Sequence, residues 1–167
     1  MYRITLAVLS VLACLKWGSW RRWKEFYSTI LYGIIGDLAY NFVFYNHLLW
    51  QYENFINHTV SDLFNAFLVF PWIIIIVFSH WPQGKLKQTA YILAWSVGLS
   101  ATEYVSVLLG YFSYHNEWNI FWSAAVYVGA FILLRLHFKH PLIVWPISAA
   151  LTAVIAVVFK LPYEVIK

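Results

Sequence analysis

Six runs of apolar residues follow one another along the chain, separated by short polar segments. The runs cover residues 2–17, 26–49, 62–81, 89–112, 118–138 and 141–159. A helix rises about 1.5 Å per residue, so most of these runs can cross a hydrocarbon core about 30 Å thick. The pattern predicts an all-α fold, a polytopic transmembrane helix bundle of about six spans that forms a single domain over residues 1–167.

The first run is the weakest of the six. Its uncharged part, from Ile4 to Leu15, can span only if Arg3 and Lys16 extend toward the two surfaces. The segment also resembles a signal peptide, and Val-Leu-Ala-Cys at 11–14 resembles a lipoprotein cleavage box. We favour an uncleaved first helix, because cleavage would leave the following basic stretch on the outer face. If the first segment does not span, the bundle has five spans.

The composition agrees with a membrane location. Hydrophobic residues make up 62% of the chain and charged residues 11%, whereas soluble domains are near half apolar and about a quarter charged. The net charge of +4 lies in the loops, which argues against a nucleic-acid partner. A single cysteine, Cys14, excludes an intrachain disulfide and a Cys-based metal site. We predict no cofactor.

The lysines and arginines predict the orientation, because cytoplasmic loops are enriched in them. Every second loop or span end carries such residues: Lys16, Arg21, Arg22, Lys24, Lys85, Lys87, Arg135 and Lys139. The alternate loops, Gln51–Ser61 and Ser113–Glu117, have none. We therefore predict a multi-pass protein of a bacterial cytoplasmic membrane with both termini outside.

Two of the apolar spans contain a carboxylate. Asp37 follows Gly33 and precedes Asn41 by four residues, so the three share one helix face, and it lies roughly 16 Å from the start of its span. Glu103 stands at a similar predicted depth in the fourth span. An ionisable group inside the membrane is costly and is by default a functional candidate.

We predict that the two carboxylates form a polar pocket between the second and fourth spans, which binds or helps to transport a proton or a small or cationic ligand. Its candidate residues are Asp37, Tyr40, Asn41, Ser100 and Glu103. The alternative is that Asp37 and Glu103 only donate interhelical hydrogen bonds in a non-catalytic structural or regulatory subunit of a membrane complex.

Histidines and acidic residues also gather near the predicted outer surface. Imidazole and carboxylate groups bind zinc and serve as acids and bases, so a metal site or an outer-leaflet lipid enzyme is a further hypothesis. Its weak candidates are His47, Asp62, His115 and Glu117. No recognised metal or hydrolase motif supports it, so we favour a hydrated rim and expect no enzyme activity. Pro71 and Pro146 are expected to kink the third and sixth spans.

Four segments carry a resemblance to a known family. They are Trp20-Arg-Arg-Trp-Lys-Glu-Phe-Tyr27, Gly36-Asp-Leu-Ala-Tyr-Asn41, Tyr114-His-Asn-Glu-Trp-Asn119 with Trp122-Ser123, and Leu134-Arg-Leu-His-Phe-Lys-His-Pro141. The chain resembles small, uncharacterised multipass membrane proteins of endospore-forming Firmicutes. The resemblance implies a bacterial cytoplasmic or spore inner membrane and no particular activity. The expected partners are the lipid bilayer, a small-molecule or lipid ligand, and another membrane protein or a second copy of the chain.

Overall fold

The computed structural model describes residues 2–53 and 57–162, with side chains described from Ile4 onward. The helices are α1 (Tyr2–Trp17), α2 (Trp23–Val43), α3 (His58–Leu68), α4 (Phe70–Ser79), α5 (Lys85–Leu108), α6 (Ile120–Lys139) and α7 (Pro141–Val158). A single 3-10 turn, Trp20–Arg22, precedes α2. Two three-residue strands, β1 (Trp50–Tyr52) and β2 (Phe112–Tyr114), complete the fold. The predicted all-α bundle is confirmed.

Four crossings of the bundle are both long and apolar enough to span a membrane. They are His58–Ser79, Lys85–Leu108, Ile120–Lys139 and Pro141–Val158. The apolar part of α1, Ile4–Trp17, is shorter. α2 has 21 residues, about 31 Å at the usual helical rise, but it carries Lys24, Glu25 and Asp37 and is more polar. Four apolar crossings are compatible with a multi-pass membrane protein, and α1 and α2 complete the bundle.

The crossing at His58–Ser79 consists of two helices, α3 and α4, which meet at Val69. Val69 has φ −118° and ψ −53°, and Pro71 occupies the first turn of α4. A proline lacks the backbone donor and its ring clashes with the carbonyl four residues earlier. Pro71 therefore explains this break. Pro146, by contrast, lies inside α7, which continues through it to Val158.

One end of the bundle, which we call the basic end, carries the lysines and arginines that the sequence placed on one side. It is formed where α1 ends and α2 begins, where α4 ends and α5 begins, and where α6 ends and α7 begins. The backbone N–H of Ser19 donates to Ser79 Oγ at 2.7 Å, which ties the first of these turns to the second. The guanidinium of Arg135 lies over the ring of Trp81, which ties the second to the third.

The opposite end, which we call the capped end, is closed by the two strands. β1 and β2 pair in antiparallel register, with Trp50 opposite Tyr114 and Tyr52 opposite Phe112. An apolar cluster lies beside them, formed by Phe44, Leu49, Trp118, Phe159 and Leu161. The sequence predicts a hydrated rim for these loops and does not indicate that they pair. The strand pair joins the loop after α2 to the loop after α5.

α2 lies in the middle of the bundle, where it packs against α3, α4 and α6, while α5 and α7 both pack against α6. Gly33 allows the close approach, because a Cβ atom there would lie 3.0 Å from Ile74 Cδ1 and 3.5 Å from Leu134 Cδ2. The outer faces stay apolar: Leu142 is 83% exposed and Val157 75%. Such exposure is unfavourable in water and natural in contact with lipid.

Candidate functional site

Two aspartates from neighbouring helices meet near the capped end. Asp37 lies less than two turns before α2 ends at Val43, and Asp62 lies one turn into α3. Their carboxyl groups interact with each other, and Asp62 is only 2% exposed. An ionised carboxylate can only accept hydrogen bonds, so two neighbouring carboxyl groups can bond to each other only if one of them carries a proton. We call Asp37 and Asp62 the carboxyl pair.

Asn41 covers the carboxyl pair on the side of the cap. Its Nδ2 donates to Asp62 Oδ2 and to the backbone carbonyl of Asp37 at 3.0 Å. Its Oδ1 lies 3.0 Å from His58 Nε2. Both amide protons and the amide oxygen are therefore used, and this fixes the orientation of the side chain.

The contacts of His58 define its tautomer. The backbone N–H of Tyr52 donates to His58 Nδ1 at 3.3 Å, so Nδ1 carries no proton. Nε2 faces the amide oxygen of Asn41, which only accepts, so Nε2 carries the proton. His58 is thus neutral in this arrangement. The polar chain runs from the backbone of β1 through His58 and Asn41 to the carboxyl pair.

Local helix geometry explains why these four side chains meet. Asp37 and Asn41 are four residues apart on α2, and His58 and Asp62 are four residues apart on α3, so each pair forms a ladder on one face. Asn57 caps α3, with its side chain accepting from the backbone N–H of Val60 at 2.8 Å. The cap fixes where α3 begins and so determines which face its ladder presents to α2.

Tyr40 supports the site from α2 through the backbone of the capped end. Its hydroxyl accepts from the backbone N–H groups of Leu49 at 3.0 Å and of Trp50 at 3.4 Å. It also lies within electrostatic range of both aspartates. Tyr40 therefore holds the chain reversal that leads from α2 into β1.

Glu103 has a different set of partners. It is 8% exposed and lies less than two turns before α5 ends at Leu108. Tyr114 Oη donates to its Oε1 at 2.6 Å, and Tyr127 Oη donates to its Oε2. Each carboxylate oxygen thus accepts a hydrogen bond from a phenol. Burial, and then the hydrogen bond to Glu103, raise the pKa of Tyr114 well above its usual range.

The structure therefore brings Asp37 and Asn41 together, as the sequence suggested, but joins them to Asp62 and His58, whereas Glu103 bonds to two tyrosines. Ser100, on α5, has a buried Oγ for which no hydrogen-bond partner occurs among the residues that the structure describes. Tyr52 links the two groups: its ring stacks on His58 with centroids 5.8 Å apart, and it interacts electrostatically with Tyr127.

The remaining weak candidates for a metal site, His47, His115 and Glu117, are spread over the capped end. His47 Nε2 lies 3.0 Å from the carbonyl of Phe159, and His115 Nε2 lies 3.0 Å from Ser113 Oγ. Glu117 is exposed and lies 4.0 Å from Lys160 Nζ. Across residues 2–53 and 57–162, no three histidine, cysteine or acidic side chains are grouped so that they could hold a metal ion.

The sequence predicts for Asp62 only a minor role, as a weak metal-site candidate near the outer surface. The apolar run at 26–49 placed Asp37 near the middle of the membrane, whereas α2 ends at Val43 and Asp37 lies much closer to the cap. One pattern in the sequence does indicate that Asp62 could face Asp37. His58 and Asp62 follow the helix-capping Asn57 and are four residues apart, the same spacing as Asp37 and Asn41 on α2.

Comparison of the chain with protein-family models, with curated proteins and with solved structures finds no match. Its chemistry therefore has to be derived from the geometry of the chain itself.

Proposed function

We propose that this membrane protein binds a proton at the carboxyl pair and exchanges it for a small monovalent cation. The observation that carries the proposal is the interaction between the carboxyl groups of Asp37 and Asp62, with Asn41 bonded both to Asp62 and to the backbone of Asp37. Two adjacent desolvated carboxylates cannot both ionise cheaply, so the pair retains one proton unless a cation replaces it.

The charge at the capped end favours cations. Glu53, Glu103 and Glu117 lie at this end together with the carboxyl pair, and the basic residues of the described chain that lie away from the basic end are Arg3, at the start of α1, and Lys160, after α7. The other lysines and arginines of the described chain lie at or near the basic end. A surface of one sign raises the local concentration of opposite charge, so the field of the protein supports cation entry from the cap.

A route from the surface to the pair is short. His58 is partly exposed and lies next to Asn41, which covers Asp62. A rotation of the His58 ring or of the Asn41 amide would open the pair to the cap. In this proposal, the closed arrangement corresponds to the state that holds the proton.

We further propose that the basic end faces the cytoplasm of a bacterial cell, in its cytoplasmic or spore inner membrane. The concentration of lysine and arginine at one end supports this orientation. The carboxyl pair would then open toward the outer face, and the two termini would lie on that side.

The test measures proton release from purified protein in weakly buffered detergent when sodium, potassium or lithium chloride is added. Wild type should release about one proton per chain, since two coupled carboxyl groups share one. Asp37→Asn and Asp62→Asn should release none, because an amide group replaces the protonated acid without becoming charged. Glu117→Gln, which removes an exposed acid from the same end, should behave as wild type.

Two results would overturn the proposal. One is a wild-type protein that releases no proton with any of the three cations. The other is release that persists in Asp37→Asn. If that variant instead melts at a lower temperature and the wild type copurifies with a defined protein subunit, the structural or regulatory role becomes the better explanation.

A further inference from the structure

A pair of buried nitrogen donors at the basic end lacks an acceptor. Arg135 Nε and Trp81 Nε1 are both buried, and neither has a hydrogen-bond partner within the described part of the chain. The Arg135 guanidinium carbon lies 4.9 Å from the centre of the Trp81 ring and 5.7 Å from that of Phe138. Buried donors are rarely left unsatisfied in native proteins. We therefore expect Arg135 Nε and Trp81 Nε1 to donate to a bound molecule that is not part of the chain.

A groove on α5 begins beside these donors. It encloses about 400 Å³ and has mainly apolar walls, with lining residues Tyr91, Ala94, Trp95, Gly98, Leu99 and Thr102. The Tyr91 ring packs edge-on against Trp81 at 5.8 Å, and the Trp95 ring follows at 6.3 Å. The groove is thus continuous with the ring of Trp81, whose Nε1 has no acceptor within the described part of the chain.

The dimensions of the groove fit a lipid chain. Tyr91 and Thr102 are three helical turns apart, or roughly 16 Å along the axis. One leaflet contributes about half of a 30 Å hydrocarbon core. The groove therefore extends from the level of Trp81 toward the capped end over about the length of one acyl chain.

We propose that a phospholipid from the leaflet at the basic end binds here, with its phosphate on Arg135 and Trp81 and one acyl chain in the groove. A guanidinium beside an indole N–H offers two donors to phosphate oxygens. Lys139 lies one turn further along α6, and Glu25, the acid at this end of α2, is paired with Arg22. The local charge therefore favours an anionic headgroup. This site is independent of the carboxyl pair, which lies at the opposite end.

The groove and the phosphate site can be tested separately. Arg135→Gln removes the charge, and Arg21→Gln is its control, since Arg21 is an exposed cation at the same end. Gly98→Leu fills the groove, and a Cβ atom at Gly98 would meet no other atom within 4 Å, so the helix should tolerate it. Gly36→Leu is the matched control, because Gly36 is also exposed on a helix with open space around it.

The experiment titrates each delipidated, detergent-purified protein with phosphatidylglycerol and counts bound lipids by native mass spectrometry. Wild type should hold one lipid more tightly than the rest. Arg135→Gln should weaken that first binding event about tenfold or more, which corresponds to one charge-assisted hydrogen bond. Gly98→Leu should weaken it to a comparable degree, and both controls should bind as wild type.

Three outcomes would overturn the proposal. Equal losses in Arg135→Gln and Arg21→Gln would mean that the lipid responds only to the overall charge of this end. Unchanged binding in Gly98→Leu would mean that the groove holds no acyl chain. Displacement of the lipid by millimolar inorganic phosphate would identify a phosphate site rather than a lipid site. Circular dichroism and melting temperature of each variant establish that it is folded.

Discussion

The rings of Tyr40 and Trp50 are stacked face to face, with centroids 3.8 Å apart and planes inclined by 5°. The same tyrosine uses its hydroxyl to accept from the backbone of Leu49 and of Trp50 itself. Tyr40 on α2 thus holds both the Trp50 ring and the backbone N–H groups of Leu49 and Trp50, where the chain enters the capped end.

Substitutions at Tyr40 should separate these two contributions. Tyr40→Phe keeps the stack and leaves two backbone donors without an acceptor, so we expect a loss of about 1–2 kcal/mol in unfolding free energy. Tyr40→Ala also removes the stack and should cost about 3–5 kcal/mol. Unfolding in mixed micelles measures both. Tyr27→Phe, at an exposed tyrosine on the same helix, is the control and should change little.

The phenol of Tyr114 predicts a dependence of stability on pH. Its raised pKa, caused first by burial and then by Glu103, means that the neutral form is favoured in the folded protein. This contribution is complete below the unfolded pKa of about 10 and is lost as the pH rises through the higher folded value. Tyr114→Phe should therefore be less stable than wild type by about 1–2 kcal/mol near neutrality.

The difference between Tyr114→Phe and wild type should shrink as the solution becomes alkaline. The measurement is unfolding free energy in mixed micelles at a series of pH values, with exposed Tyr104→Phe as the control. A difference that stays constant from neutral to strongly alkaline pH would contradict this account of Tyr114.

The two asparagine caps provide a matched pair of variants. Asn57 caps α3 through Val60, and Asn119 caps α6 by accepting from Phe121 at 3.0 Å. Replacing either by alanine should cost about 1 kcal/mol. Only Asn57→Ala should also alter cation-dependent proton release, because α3 positions His58 and Asp62. Equal effects of both variants on proton release would argue against a role for the start of α3.

Two glycines of α2 should respond oppositely to a larger side chain. Gly33→Leu must displace Ile74 or Leu134, and overpacking of this kind usually costs about 1–3 kcal/mol. Gly36 has open space around it, so Gly36→Leu should be neutral or stabilising by up to about 1 kcal/mol through helix propensity. Melting temperatures in one detergent test the contrast, and similar losses at both sites would contradict the packing described for Gly33.

The bundle and its basic end could be predicted from the sequence because both depend on local patterns. Apolar runs give the helices, and the alternation of basic and neutral loops gives the two ends. The ladder of Asp37 and Asn41 was also visible, since a spacing of four residues places side chains on one face.

The cap could not be predicted in the same way. β1 and β2 are separated by about sixty residues and have three residues each, so neither shows the alternation of a longer strand. Residues 44–49 looked like a continuation of α2 by hydropathy, although the chain turns there toward Trp50. The choice of Asp62 as the partner of Asp37 follows from this turn, because it brings the start of α3 beside the last turns of α2.

The pairing of β1 with β2 also sets an order of events during synthesis. β1 leaves the ribosome long before β2, and its partner arrives only after α5 has been made. Until then the loop after α2 has no strand to pair with, so the capped end is completed only when the second half of the chain has been made.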